Sequence, residues 1–130
     1  MTSRVTEIIV DSHDPLTIAG WWAEVLGYEV LPMAPEGWVG ISPWPPGNER
    51  PSDDAFRAAP QLPTIVFVPV PEAKIGKNRI HLDIWSVDRS QAEEVAWLES
   101  RGAIREDIGQ GDVPWVVMAD PEGNVFCVMG

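Results

Sequence analysis

Cysteine is nearly absent from this chain. Cys127 stands alone, so no intramolecular disulfide can form, and a reducing, cytoplasmic setting is expected. Basic residues are scarce as well: 9 Lys and Arg face 20 Asp and Glu, for a net charge of −11. Such a surface repels phosphate backbones and anionic lipid, which excludes nucleic acid and membrane surfaces as expected partners. No apolar run approaches the roughly 18 residues of a membrane span. The opening Met1-Thr2-Ser3-Arg4 leads into a strand pattern rather than the apolar core of a signal peptide. There is no serine nucleophile elbow and no paired-cysteine zinc motif. The glycines of Gly109-Gln110-Gly111-Asp112 precede no helix that could cradle a phosphate, so they are read as a strand connection. Tyrosine occurs once, but tryptophan seven times, and tryptophan supplies flat apolar area for a core or a ligand cavity. At 130 residues and 45% hydrophobic, the chain suits one domain with a sizeable core.

The most informative positive feature is an internal repeat. Glu7-Ile8-Ile9-Val10-Asp11-Ser12-His13-Asp14 returns in altered form as His81-Leu82-Asp83-Ile84-Trp85-Ser86-Val87-Asp88, so that position 7 falls on 81, an offset of 74. Each copy alternates with period two, as a strand with one face in a core does, and each then passes through a polar turn into a helical pattern. Glu7 and His81 thereby occupy equivalent places, on the face opposite Ile8, Val10, Leu82 and Ile84.

The elements follow from local signals. Val5 to Asp11 is a strand. Asp14 is a helix cap, Pro15 fits the first helical position, and the stripe Ile18, Trp21, Trp22, Val25, Leu26 ends at Gly27. Strands are expected at Tyr28–Met33, Gly37–Ser42 and Thr64–Val70. Between them, residues 43–63 carry six of the 13 prolines and no period, and are read as an irregular loop. The second copy opens with a strand at Arg79–Trp85. Ser90-Gln91-Ala92-Glu93 then forms a capping box for a helix ending before Gly102, and strands follow at Ala103–Ile108, Trp115–Ala119 and Asn124–Met129. The expected architecture is α+β: one domain over 1–130, built from two βαβββ units, 1–71 and 78–130. Each sheet buries one face under its helix and leaves a concave face open.

This pattern resembles the vicinal oxygen chelate superfamily, in its glyoxalase-like and bleomycin-resistance-like branch. The resemblance is carried by the duplicated order together with Lys77-Asn78-Arg79-Ile80-His81-Leu82-Asp83 and Asp120-Pro121-Glu122-Gly123-Asn124-Val125-Phe126-Cys127. It implies curved sheets around a central cavity. It also implies four inward-facing family ligand positions for a divalent cation, which fall here on Glu7, Val68, His81 and Cys127. Val68 has no donor atom, and Cys127 stands where the family usually has glutamate. No metal is therefore expected, although a three-ligand zinc or nickel site is chemically open.

His81 beside Asp83 reads as a cavity histidine, acting as ligand or acid–base group with its tautomer set by that carboxylate, or as a residue kept for a structural hydrogen bond. Glu7 is a base, a ligand or a solvated strand-end carboxylate. Cys127 reads as a small buried hydrophobe. Asp83, Trp85, Val68, Cys127, Trp38 and Trp115 are the expected ligand-binding positions, Trp21 and Trp22 are expected in the core, and Trp97 is expected at an exposed or interface position. The leading functional expectation is a small-molecule-binding protein with an acidic, aromatic cavity that takes a cationic organic ligand or a thiol adduct. The alternative is a metal-dependent glyoxalase-type lyase in which Glu7 and His81 are catalytic. A third reading is an interaction module without a small ligand. A homodimer is expected, with the 43–63 loop or Trp97 in the contact.

Overall fold

The computed structural model describes residues 2–44 and 50–130, which form two compact units, Met1–Glu72 and Ala73–Gly130. The first contains β1 (Glu7–Ser12), α1 (Pro15–Leu26), β2 (Glu29–Pro32), β3 (Val39–Ser42), α2 (Asp53–Ala58) and β4 (Thr64–Pro69). Its sheet runs β1-β4-β3-β2, with β1 and β4 parallel and the remaining pairs antiparallel. α1 forms where expected: Asp14 accepts from the Thr17 N–H, Pro15 sits in the first turn, and Gly27 closes the helix at φ 64°. Ile18, Ala19 and Trp22 are buried on this helix, which packs on β3 and β4, where Ile41, Ile65 and Phe67 are buried too. Trp21 is half-buried and meets Trp22 edge-to-face at 5.0 Å.

The 43–63 stretch, read as an irregular loop, contains one short helix, α2. Ser52 caps this helix by accepting from the Ala55 N–H, Asp53 and Asp54 occupy its first turn, Arg57 its last, and Phe56 is its buried anchor. Six residues are too few to show a helical period, so only the cap chemistry announced it. The part of this stretch at 45–49 lies outside the described residues.

The second unit contains β5 (Asp83–Trp85), α3 (Gln91–Ser100), β6 (Ile104–Arg105), β7 (Val116–Ala119) and β8 (Val125–Met129), in sheet order β5-β8-β7-β6. The order repeats that of the first sheet, with β5 and β8 parallel. The capping box at Ser90 and Glu93 is formed on both sides, and Val95 and Leu98 bury the inner face of α3. Phe126, Val128 and Met118 lie on one face of β7 and β8. Val125, Cys127 and Val117 lie on the other, in a cluster joined by Ile108, Trp115 and Met129.

β5 and β6 are the strands most shortened against expectation, for identifiable reasons. β5 begins at Asp83 instead of Arg79 because the side-chain amide of Asn78 takes the backbone groups of Val125 that a longer strand would have used. Asn78 Oδ1 accepts from the Val125 N–H at 2.8 Å, and its Nδ2 donates to the Val125 carbonyl at 3.1 Å. One step along, the Cys127 N–H still donates to the Leu82 carbonyl at 2.9 Å. β6 ends early because Asp107 and Gln110 accept the Gly109 and Ile108 N–H groups and turn the chain. Trp97 also departs from expectation. It is half-buried rather than exposed, with the guanidinium groups of Arg89 and Arg101 at 5.2 and 5.6 Å from its ring centroid, so arginine stacking covers part of an indole expected at an exposed or interface position.

Candidate functional site

Alternation along the chain entering β5 sets up the site. Leu82 and Ile84 turn inward, while His81, Asp83 and Trp85 point to the opposite face. Register then supplies the neighbour, because Asp83 is paired with Cys127 on β8. His81 Nδ1 lies 3.4 Å from Asp83 Oδ1 and 3.8 Å from Cys127 Sγ. One donor atom from each of the three residues falls within 4.8 Å of the others. The imidazole side chain is 33% exposed, the Asp83 side chain 53% and Trp85 66%, whereas Cys127 is 3% exposed. The site is thus a buried sulfur under two accessible polar groups, with an uncovered indole beside them.

Burial pushes the Cys127 thiol pKa up. The Asp83 carboxylate raises it further by its charge and by accepting a hydrogen bond, and Lys77 opposes both weakly. At neutral pH the thiol keeps its proton, in agreement with its reading as a small buried hydrophobe.

The three donors nonetheless suit a cation. A tetrahedral site with bonds of about 2.0–2.3 Å separates its donors by roughly 3.3–3.8 Å, the spacing His81 already keeps from both partners. A cation there would also drive the proton off the thiol. His81, Asp83 and Cys127 would hold it, and it would supply Lewis-acid polarisation of a substrate oxygen. The sequence expectation had assigned Asp83 to orient His81 and not to donate beside it. The available signal was the i, i+2 spacing on one strand face.

Glu7 is exposed on β1 of the first unit, paired with Thr64, and Val68 pairs with Asp11. Ile9 corresponds to Asp83 across the repeat and pairs with Val66, so register makes Val66, two residues before Val68, the counterpart of Cys127. Neither valine carries a donor. Trp115 packs against the Cys127 cluster, and Trp38 is half-buried between β2 and β3.

Comparison with known proteins agrees with this fold. The glyoxalase-like domain family matches residues 7–129. The chain belongs to that family. Among solved structures, this glyoxalase-like domain is similar to a glyoxalase/bleomycin resistance protein/dioxygenase family enzyme from Burkholderia phytofirmans PsJN, at TM-score 0.64 and 13% identity over 97% of both chains. It is similar also to the oxidase ChaP-H2 (TM-score 0.62, 14% identity, 98% of this chain and 93% of that one). A possible glyoxalase from Bacillus cereus matches over 100% of both chains, at TM-score 0.59 and 12% identity. At such identities the likeness concerns the fold, which is the vicinal oxygen chelate arrangement of two repeated units. No curated protein matches the chain. Among the described residues, no helix is long and apolar enough to cross a membrane.

Proposed function

We propose that this glyoxalase-like domain binds a small organic ligand at the His81, Asp83 and Trp85 face, and that the ligand joins a flat apolar body to a cationic or hydrogen-bond-donating group. The observation that carries the reading is the indole of Trp85, 66% exposed and two residues from an accessible carboxylate. An uncovered aromatic surface attracts a ring by stacking, and the neighbouring carboxylate favours a cation over an anion. Titration with a planar cationic dye such as acridine orange, followed by tryptophan quenching, tests this. Trp85→Phe and Asp83→Asn should each weaken binding by about tenfold or more, the loss expected of one stacking or charge-assisted contact. Equal affinity for the dye in all three proteins would overturn the proposal.

The convergence of three donors favours a second reading, a metal-dependent lyase acting on a thiol adduct, with zinc or nickel held by His81, Asp83 and Cys127. A carboxylate would then act as the base that moves a proton between adjacent carbons. Metal analysis after purification without chelator separates the readings. A stoichiometric cation in the wild type that is lost in His81→Ala selects the lyase. A homodimer is part of the same proposal: the edge strands β2 and β6 present the exposed Val30 and Ile104. Light scattering at micromolar concentration decides it.

A further inference from the structure

The first unit holds a pocket that neither reading uses. Thr2, Ser3, Arg4, Thr6, Phe56 and Arg57 line an open cavity of about 320 Å³, inside the size range of small-molecule sites. Its charge is out of keeping with the chain. Arg4, Arg50 and Arg57 are the only Lys or Arg residues between Met1 and Glu72. Two of them form the pocket wall, and the third lays its guanidinium 4.9 Å from the ring centroid of Phe56. All the basic charge of an otherwise acidic unit is thus gathered at one place.

Both walls are held in position before any ligand arrives. Thr6 is tied to the sheet because its carbonyl accepts from the Thr64 N–H at 3.2 Å. Arg4 Nη2 donates to the Arg57 carbonyl at 3.4 Å, which draws the amino-terminal segment against α2. Ser52 caps α2, and Phe56, 6% exposed, anchors it as an apolar floor. The carboxylate facing this charge within α2 is Asp54, whose Oδ1 lies 3.1 Å from Arg57 Nη1, both side chains being largely in water. An exposed pair of this kind is weak and yields readily to an incoming anion that also meets Arg4 and the threonine and serine hydroxyls.

We infer that this pocket binds an aromatic carboxylate, whose ring lies against the exposed edge of Phe56 and the apolar stems and methyl groups of the wall, and whose anionic group is taken by Arg4, Arg57 and the hydroxyl rim. The charge sign is opposite to that of the ligand proposed for the second unit, so the two sites fail or succeed independently. The test is amide and guanidinium NMR titration of the full chain with 2-naphthoate, with 2-naphthamide and inorganic phosphate as comparison probes. Naphthoate is expected to shift residues 2–6 and 52–58 in a saturable way. Arg4→Gln at a half-buried position and Arg57→Gln at an exposed one, each keeping a hydrogen-bond donor, should weaken it by about tenfold, the loss of one charge-assisted contact. The conservative Arg57→Lys should recover part of the affinity, and raised salt should lower it. Naphthamide binding as tightly as naphthoate would overturn the inference. So would phosphate binding as tightly as naphthoate, or naphthoate shifts that persist unchanged in Arg4→Gln and Arg57→Gln.

Discussion

Replacing Asn78 should unfasten the segment that delivers His81. The Asn78 amide makes three hydrogen bonds to backbone: one accepted from the Val125 N–H, and one donated to each of the Val125 and Ile80 carbonyls, between 2.7 and 3.1 Å. Val125 is 5% exposed, so water cannot readily take the vacated places. At roughly 0.5–1.5 kcal/mol net per bond, Asn78→Ala should cost about 2–4 kcal/mol. Urea unfolding, monitored by tryptophan fluorescence and by circular dichroism, measures this as a lowered midpoint at unchanged slope. Hydrogen exchange should quicken at the Cys127 N–H, whose acceptor Leu82 follows the loosened segment. The isosteric Asn78→Asp discriminates bonding from packing, because it sets a carboxylate oxygen against two carbonyl oxygens. It should be destabilised at neutral pH at least as much as the alanine variant. A loss below about 0.5 kcal/mol in Asn78→Ala, or wild-type stability in Asn78→Asp, would refute the reasoning.

Three further outcomes follow from local geometry. Gly27 sits at φ 64° with nothing within 4 Å of an added Cβ, so Gly27→Ala should cost only the left-handed backbone penalty, about 1–2 kcal/mol, read in thermal or urea unfolding. Ser90→Ala removes the side chain that accepts from the Glu93 N–H, and about 1 kcal/mol of stability should go with it, with early fraying of α3 by hydrogen exchange. Cys127 should react with a thiol-specific disulfide reagent along a pH profile displaced above the ordinary thiol value of 9.0, and Asp83→Asn should bring that profile down. Because the folded-state thiol pKa is raised, its contribution to stability is complete below the unfolded value and is lost as pH climbs through the folded one. Asp83→Asn should therefore narrow that alkaline loss, and an unmoved profile would count against the role given to Asp83.

Much of the fold could be read directly because its signals are local. Asp14, Pro15 and Gly27 bracket α1, Ser90 and Glu93 open α3, and period-two alternation marks β1 and the approach to β5. What escaped depended on competition between groups that lie apart in the chain. Asn78 shortens β5 by bonding a residue 47 positions away, and no pattern near Arg79 reveals that. The arginines on Trp97 flank α3 at both ends, beyond the reach of the helical wheel that set the indole on the polar side of the helix. At the site, His81 and Asp83 were legible from alternation alone. Cys127 was grouped with His81 by the family resemblance, and what the β5–β8 register adds is Asp83 directly beside it. The pocket beside α2 was hidden for a related reason, since its two walls are drawn from residues 2–6 and 56–57.

The shared strand order of the two sheets gives this molecule a built-in control. Where the second unit carries His81, Asp83 and Cys127, the first carries Glu7, Ile9 and Val66 on the same backbone frame. After duplication, one copy could retain donors while its twin drifted toward hydrocarbon, because the ladder bonds that hold the frame belong to the main chain and are indifferent to that choice. The quieter copy is accordingly a template on which Ile9→Asp and Val66→Cys would rebuild the donor pattern. The same protein would then report what the scaffold contributes and what the side chains add.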